Sequence, residues 1–276
     1  MTRNRELGLT VSDAALMQSL HATLTSDFKG GTPWKSIKPG ITAVVNGASM
    51  RPGVASGAWV TIFGANLAPV TDNWTGFIEN GKLPASLGGV SVTVGGEPAF
   101  PAYVSPTQIN AVAPEAAAGT VPVIVSAANG GIATAMAGAV TIQPAFFEWG
   151  AYAVASHRDF SFAVKNGTLS RTTVPAAPGE IIILWGTGFG PTNPAAPVGM
   201  EVPSDRTYYT ISPLAIRLGN TPAKVFGAAL AAGLAAVYQV VIQIPESLMD
   251  GDYPVTATVA GVRSAADVLL TVQRPD

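Results

Sequence analysis

The chain contains no cysteine. That single absence excludes disulfide staples, thiolate metal sites and a cysteine nucleophile, while leaving the compartment open. Charge is scarce too: 15 lysines and arginines face 17 aspartates and glutamates, so that only 12% of 276 residues are charged, about half the ordinary share. With a net charge of −2 and no basic stripe, no field draws the chain to nucleic acid. There are two histidines, His21 and His157, which leaves little material for histidine chemistry. No apolar run reaches the ~18 residues of a membrane span; the nearest stretch, Phe226 to Val237, is interrupted by glycine and reads as a buried loop and strand. Met1 to Glu6 is followed by no apolar core of signal-peptide type, so the chain is either cytoplasmic or a mature form.

What the sequence has in quantity is turn formers, 30 glycines and 22 prolines, in a chain that is 48% hydrophobic. That combination suits many short strands, and the length suffices for two cores. One unit occurs twice. Gly179-Glu180-Ile181-Ile182-Ile183-Leu184-Trp185-Gly186-Thr187-Gly188-Phe189-Gly190-Pro191 is an apolar run closed by a glycine-rich corner, and Gly57-Ala58-Trp59-Val60-Thr61-Ile62-Phe63-Gly64-Ala65-Asn66-Leu67 is its weaker copy. The order of later landmarks repeats as well. Val92 to Ala99 matches Ile216 to Ala223, Gln108 to Glu115 matches Gln239 to Glu246, and Gly119 to Val123 matches Gly251 to Val255. A fixed order with a slowly drifting offset marks duplicated modules with loop insertions.

Asn46-Gly47-Ala48-Ser49, the Gly57 to Leu67 run, Leu87-Gly88-Gly89-Val90-Ser91-Val92, Tyr103 to Asn110, Pro178-Gly179 and the Gly186 to Pro191 corner together carry a resemblance. The chain resembles the uncharacterised Solibacter-type C-terminal domain family of Acidobacteria, built from immunoglobulin-like modules of the IPT/TIG kind. The likeness covers roughly residues 41–276. It implies an all-β fold of two tandem immunoglobulin-like (IPT/TIG-type) β-sandwiches with a short N-terminal strand and helix arm, and a secreted or cell-surface setting from which the signal peptide has been removed. It implies no assigned activity and no catalytic residue.

The expected domains are an N-terminal arm over 1–40, a first sandwich over 41–144 and a second over 145–276. In the arm, Leu7, Leu9 and Val11 alternate with smaller or polar residues as a short strand, and Ser12 or Asp13 caps a helix to about Ser26 with Met17, Leu20 and Leu24 on one face. The arm either docks on its own domain or donates its strand to the sheet edge of a neighbouring subunit. Expected strands lie near 43–46, 58–64, 90–94, 99–104, 108–113, 121–127 and 138–142, then near 151–155, 160–164, 180–186, 213–218, 222–226, 237–244, 253–259 and 266–273. Asn129-Gly130-Gly131 is a hairpin turn, and alternation points Val90, Val92 and Val94 to one face, Ser91 and Thr93 to the other. The joint falls at Gln143-Pro144-Ala145 with no Gly/Ser linker, which predicts a packed interface built with Phe146, Phe147 and Trp149.

No motif carries chemistry. Gly186-Thr187-Gly188-Phe189-Gly190 lacks the following helix that a dinucleotide site needs, so it is a tight corner. In Gly53-Val54-Ala55-Ser56-Gly57 the serine is one place late for a nucleophile elbow. His157-Arg158-Asp159 has a local acid but no marked serine. Asp250-Gly251-Asp252 is an acidic turn without the spaced carboxylates of a calcium loop, though Asp267 and Glu246 would strengthen it if the fold brought them near. Trp59 and Trp185 read as core, whereas Trp74 lies in a loop. The Pro191 to Tyr209 insertion, with Tyr208 and Tyr209, is a binding surface or a loop packed on its own sheet.

These residues are read as a non-enzymatic extracellular structural or adhesion protein, self-assembling through Leu7, Leu9 and Val11. Its partner is itself or another surface protein or glycan. The alternative is a carbohydrate-binding module using Trp74, Tyr208 and Tyr209. No cofactor, metal, catalytic residue, nucleic acid or membrane span is expected.

Overall fold

The computed structural model describes residues 14–30 and 38–275. The proposed strand Leu7, Leu9 and Val11, the cap residues Ser12 and Asp13, and Trp34 lie outside the described residues. The arm's helix spans Ala14–Gly30, four residues beyond the expected end, and Met17, Leu20 and Leu24 are all exposed.

The rest of the described chain is all-β, and it forms one compact unit. In its first half, one antiparallel sheet runs in the order Gly40–Asn46, Trp59–Ala65, Gln108–Val112, Phe100–Val104, Asp72–Asn73. The facing sheet runs Val54–Ala55, Ile132–Val140, Gly119–Ser126, Val90–Val94, Ser86–Leu87, with Glu97–Pro98 paired to Val90–Val94. Val60, Ile62, Ile109 and Ala111 from the first sheet meet Val90, Val92, Val94, Val123 and Val125 from the second in one core. Ser91 and Thr93 take the half-buried outer positions, as alternation requires. The hairpin at Asn129-Gly130-Gly131 pairs Ser126 with Ile132. A tight turn returns the chain at once, so the last strand begins at Ile132 instead of 138.

The second half repeats this wiring. Phe63 pairs with Gln108 and Trp185 with Gln239; Thr93 pairs with Pro98 and Arg217 with Pro222. Gly64 and Gly186 share one physical reason. A Cβ there would lie 2.1 Å from the Gly40 carbonyl oxygen and 2.9 Å from the Leu67 side chain at Gly64, and 2.3 Å from the Ala145 carbonyl and 2.8 Å from the Phe189 ring at Gly186. In each copy the missing side chain lets a neighbouring strand and a buried hydrophobe three residues on close over the corner.

The halves differ in how the chain changes layer. In the first, Ala99 separates Glu97–Pro98 in one sheet from Phe100–Val104 in the other. In the second, a single strand, Thr221–Leu230, pairs with Leu214–Leu218 at its start and with Tyr238–Gln243 along the remainder. The result is a continuous curled sheet around a core containing Ile182, Leu184, Phe189, Ile216, Leu218, Val240, Ile242 and Leu270. Burying each such side chain contributes roughly 1.5–3 kcal/mol. No strand forms at 160–164, where isolated bridges link Ser156 to Phe162 and Ala163 to Val174.

The interface between the sandwiches is packed, but by other residues than expected. Phe146 turns into the second core against Phe189, at 5.6 Å between ring centroids, and Trp149 packs on Phe162 at 4.8 Å. The seam is built by Trp59, Trp74, Ile78, Leu83, Phe100 and Val112 against Ala235 and Ala236. Trp59, expected in a core, thus bridges the two halves.

Candidate functional site

The glycine-rich corner is the hub of the seam. The hydroxyl of buried Thr187 accepts the Trp59 backbone N–H at 3.1 Å and donates to the Ala236 carbonyl at 2.9 Å. The Trp59 indole donates to the Ala235 carbonyl at 2.8 Å. The Gln143 N–H donates to the Gly188 carbonyl at 3.0 Å, and the Asn46 side chain donates to the Gln143 carbonyl at 3.1 Å. Gly188 adopts φ +75°, and a Cβ there would strike the Gln143 carbonyl oxygen at 2.2 Å. These glycines serve close packing between modules, in keeping with the expected corner.

The Pro191 to Tyr209 insertion packs on its own sandwich, where Val202 and Tyr208 enter the core and Tyr209 pairs with Ala229, and also reaches the opposite one. Leu83 N–H donates to the Gly199 carbonyl and Glu201 N–H to the Gly81 carbonyl, and the Gly199 backbone lies flat against the Phe100 ring, with no room for a Cβ. Between this loop and the Ala113–Ala117 segment lies a cleft of about 500 Å³, bordered by Leu83, Glu115, Pro191, Pro197, Met200 and Tyr238. The Tyr238 hydroxyl donates to the Gly190 carbonyl, and burial pushes its pKa up. The lining mixes apolar residues with the hydroxyls of Ser56, Thr141 and Thr192 and the Glu115 carboxylate, and the Ser56 hydroxyl accepts the Ala116 N–H at 3.3 Å.

Of the loop aromatics singled out from the sequence, only Tyr209 is exposed, at 56%. Tyr208 is buried at 5%, inside the second core, with its hydroxyl on Asp205. Trp74 is half-buried and stands edge-on to Trp59 at 5.5 Å. The expected platform of Trp74, Tyr208 and Tyr209 is therefore corrected: the three rings do not form one exposed surface. Apolar neighbours within the folded seam and core claimed two of them.

The titratable clusters are hydrogen-bonded within the fold. His157 has both ring nitrogens facing oxygen, Glu180 Oε1 at 2.5 Å and the Val174 carbonyl at 3.0 Å. Its neighbours Ser156 and Ser161 are engaged elsewhere, Ser156 accepting the Trp185 indole N–H and Ser161 donating to Asp159. Asp252 accepts from Thr271 at 2.6 Å, Tyr152 at 3.0 Å and Lys165 at 3.1 Å; the Thr271 hydrogen bond, then those of Lys165 and Tyr152, hold its carboxyl below the usual range. Asp267 pairs with Arg51 across the seam, and Asp250 accepts the Arg274 N–H. The acidic turn's oxygens therefore serve protein donors. Among the described residues no three acidic or histidine side chains gather as metal ligands, and no helix is long and apolar enough to cross a membrane.

Three exposed aromatics, Phe77, Phe160 and Phe226, were not singled out from the sequence. Phe160 has a positive φ of 64°, which leaves no periodicity signal, whereas Phe226 follows the exposed alternation of Pro222 and Lys224.

The family described as TIG, the IPT/TIG domain, matches over the first sandwich. The match spans residues 44–142. No curated protein matches the chain. Among solved structures, the chain is similar to the full extracellular region of plexin A4, at 16% identity over 88% of this chain and 19% of that one, with a TM-score of 0.30. It is similar to SGBP-B from the Bacteroides ovatus mixed-linkage glucan utilization locus, at 12% identity over 87% of this chain and 47% of that one, with a TM-score of 0.36. Domains 5–6 of the S-layer protein SbsC are similar at 13% identity over 87% of this chain and all of that one, with a TM-score of 0.29. The chain thus spans less than half of the plexin and SGBP-B chains. The IPT/TIG domain carries Trp59, Leu83 and Phe100, its side of the seam.

Proposed function

We propose that the protein is a non-enzymatic structural or adhesion protein of the cell surface, in which the IPT/TIG domain and a second module of the same kind, over 145–276, act as one stiff body. The seam at Thr187 carries this reading. Direct hydrogen bonds and an apolar cluster join the modules without a flexible linker, which suits a load-bearing spacer or scaffold. Placing both modules in the Solibacter-type family rests on the sequence landmarks, while the repeated registers support a common wiring of the two halves. The engaged state of His157 and its neighbouring serines supports the absence of catalysis; turnover on an ester or glycoside panel that disappears in His157→Ala would overturn that part.

Self-assembly through Leu7, Leu9 and Val11 is the finer reading within this class. Light scattering with negative-stain microscopy across a concentration series tests it. Regular particles that become folded monomers on deletion of residues 1–12 support it. A wild-type 28.1 kDa monomer, or assembly unchanged by the deletion, refutes it. Small-angle scattering tests the stiff body, with an elongation unchanged by salt as the expected outcome. The alternative, carbohydrate binding, retains Tyr209 as its exposed ring, and glycan binding unaffected by Trp74→Ala with Tyr209→Ala would exclude that site.

A further inference from the structure

The outer sheet face of the second sandwich holds a groove of about 340 Å³, lined by Arg158, Ile181, Ile183, Phe226 and Val241. Its floor is apolar because Ile183 and Val241 are direct cross-strand partners. At the matching register of the first sandwich stands a polar pair, Thr61 and Asn110, joined by a 3.1 Å hydrogen bond. The apolar floor therefore belongs to the second sandwich alone and is not a requirement of the fold.

An aromatic ring stands outward beside this floor. Phe226 continues the exposed alternation of Pro222 and Lys224 along its strand and is 50% exposed at a register shift. Phe160, 63% exposed and held at φ +64°, a conformation costing a bulky residue about 1–3 kcal/mol, lines a separate pocket with Phe162, Arg171 and Val174. The turn is pinned by Ser161 N–H on Asp159 and by His157 N–H on the Ser161 carbonyl, while the Phe160 ring leans on Trp185 at 6.5 Å. Trp185 lies two residues from Ile183 on the same outer face, so the Phe160 ring packs on the protein's own surface.

The rim supplies the sign of charge. Lys224 lies 4.7 Å over the Phe226 ring, and Arg158 borders the groove. Among the described residues, neither has a carboxylate within ion-pair distance. A glycan would require hydrogen-bonding groups along the floor, which Ile181, Ile183 and Val241 do not offer.

We propose that this groove docks a segment of a partner protein that presents apolar side chains flanked by carboxylates. The volume, at the lower end of the ~300–1,000 Å³ of small-ligand sites, admits a few side chains of such a segment. The inference does not depend on the stiff-body reading, because the groove lies within one sandwich. Fluorescence anisotropy on the full chain tests it with two labelled synthetic peptides, one alternating Leu and Phe with Glu, the other carrying Lys in place of Glu. The acidic peptide is expected to bind at least about tenfold tighter, ~1.4 kcal/mol, with an advantage that shrinks as salt rises. Arg158→Gln and Phe226→Ala are each expected to weaken binding about tenfold while thermal unfolding shows both variants folded. Equal binding of the two peptides, saturable binding of neither, or wild-type affinity in both variants overturns the proposal. A dimer that either variant converts to monomer in light scattering also overturns it, since the groove would then be a contact between copies of this chain.

Discussion

Thr187→Val keeps the side chain's shape and removes the hydroxyl that joins the two sandwiches. In the native protein that oxygen accepts from the Trp59 N–H and donates to the Ala236 carbonyl, in a place with no solvent access. Valine leaves one backbone donor and one acceptor without partners. Each buried orphan costs about 1–3 kcal/mol, so the expected loss is about 3 kcal/mol, allowing for some relaxation of the seam. For a chain of this size that lowers the thermal midpoint by roughly 6–12 °C. Urea unfolding followed by tryptophan fluorescence and by circular dichroism measures it. Both probes should shift together if the sandwiches unfold as one unit, and Thr187→Ser should recover most of the loss. A valine variant within about 0.5 kcal/mol of wild type would refute the reasoning, because it would mean that water reaches the seam or that the modules are not coupled there.

Gly186→Ala should cost several kcal/mol, on the order of 3 or more, since the new methyl meets the Ala145 carbonyl and the Phe189 ring. Gly138→Ala, with open space around it, should be neutral or stabilising by about 0.4–1 kcal/mol; similar denaturation midpoints for the two variants would contradict the packing account. Asp252 has a folded pKa below its unfolded value of about 3.9, so its contribution is complete above that value and is lost as pH falls through the depressed one. Asp252→Asn should cost about 1–2 kcal/mol at neutral pH and flatten the acid limb of a stability–pH profile; an unchanged acid limb counts against the Thr271–Asp252–Lys165 cluster. His157→Ala removes the partner of Glu180 and the Val174 carbonyl and should lower stability by about 1–3 kcal/mol in a melting experiment. A wild-type melting curve would mean that these contacts are idle.

Local chemistry and repetition were legible in the sequence. The alternation of Val90, Val92 and Val94 with Ser91 and Thr93 assigned the two faces of a strand, since successive side chains in a strand point to opposite sides. The corners at Gly64 and Gly186 read alike in the sequence, and at each a strand carbonyl and a buried hydrophobe leave no room for a Cβ. What the tertiary structure decided depends on residues far apart in the chain. Trp59 meets Thr187 and Ala235 across sequence separations of 128 and 176 residues, distances over which no periodicity carries information, so a presumed core tryptophan became the bridge of the seam. Tyr208 and its neighbour Tyr209 look alike in sequence, yet core packing buried the first and left the second in solvent. Phe226 points outward by alternation with Pro222 and Lys224, but the groove it borders with Ile181, Ile183 and Val241 exists only because distant strands pair. Composition and pattern determine which residues are able to make strands and corners; only the packed chain determines which of them meet.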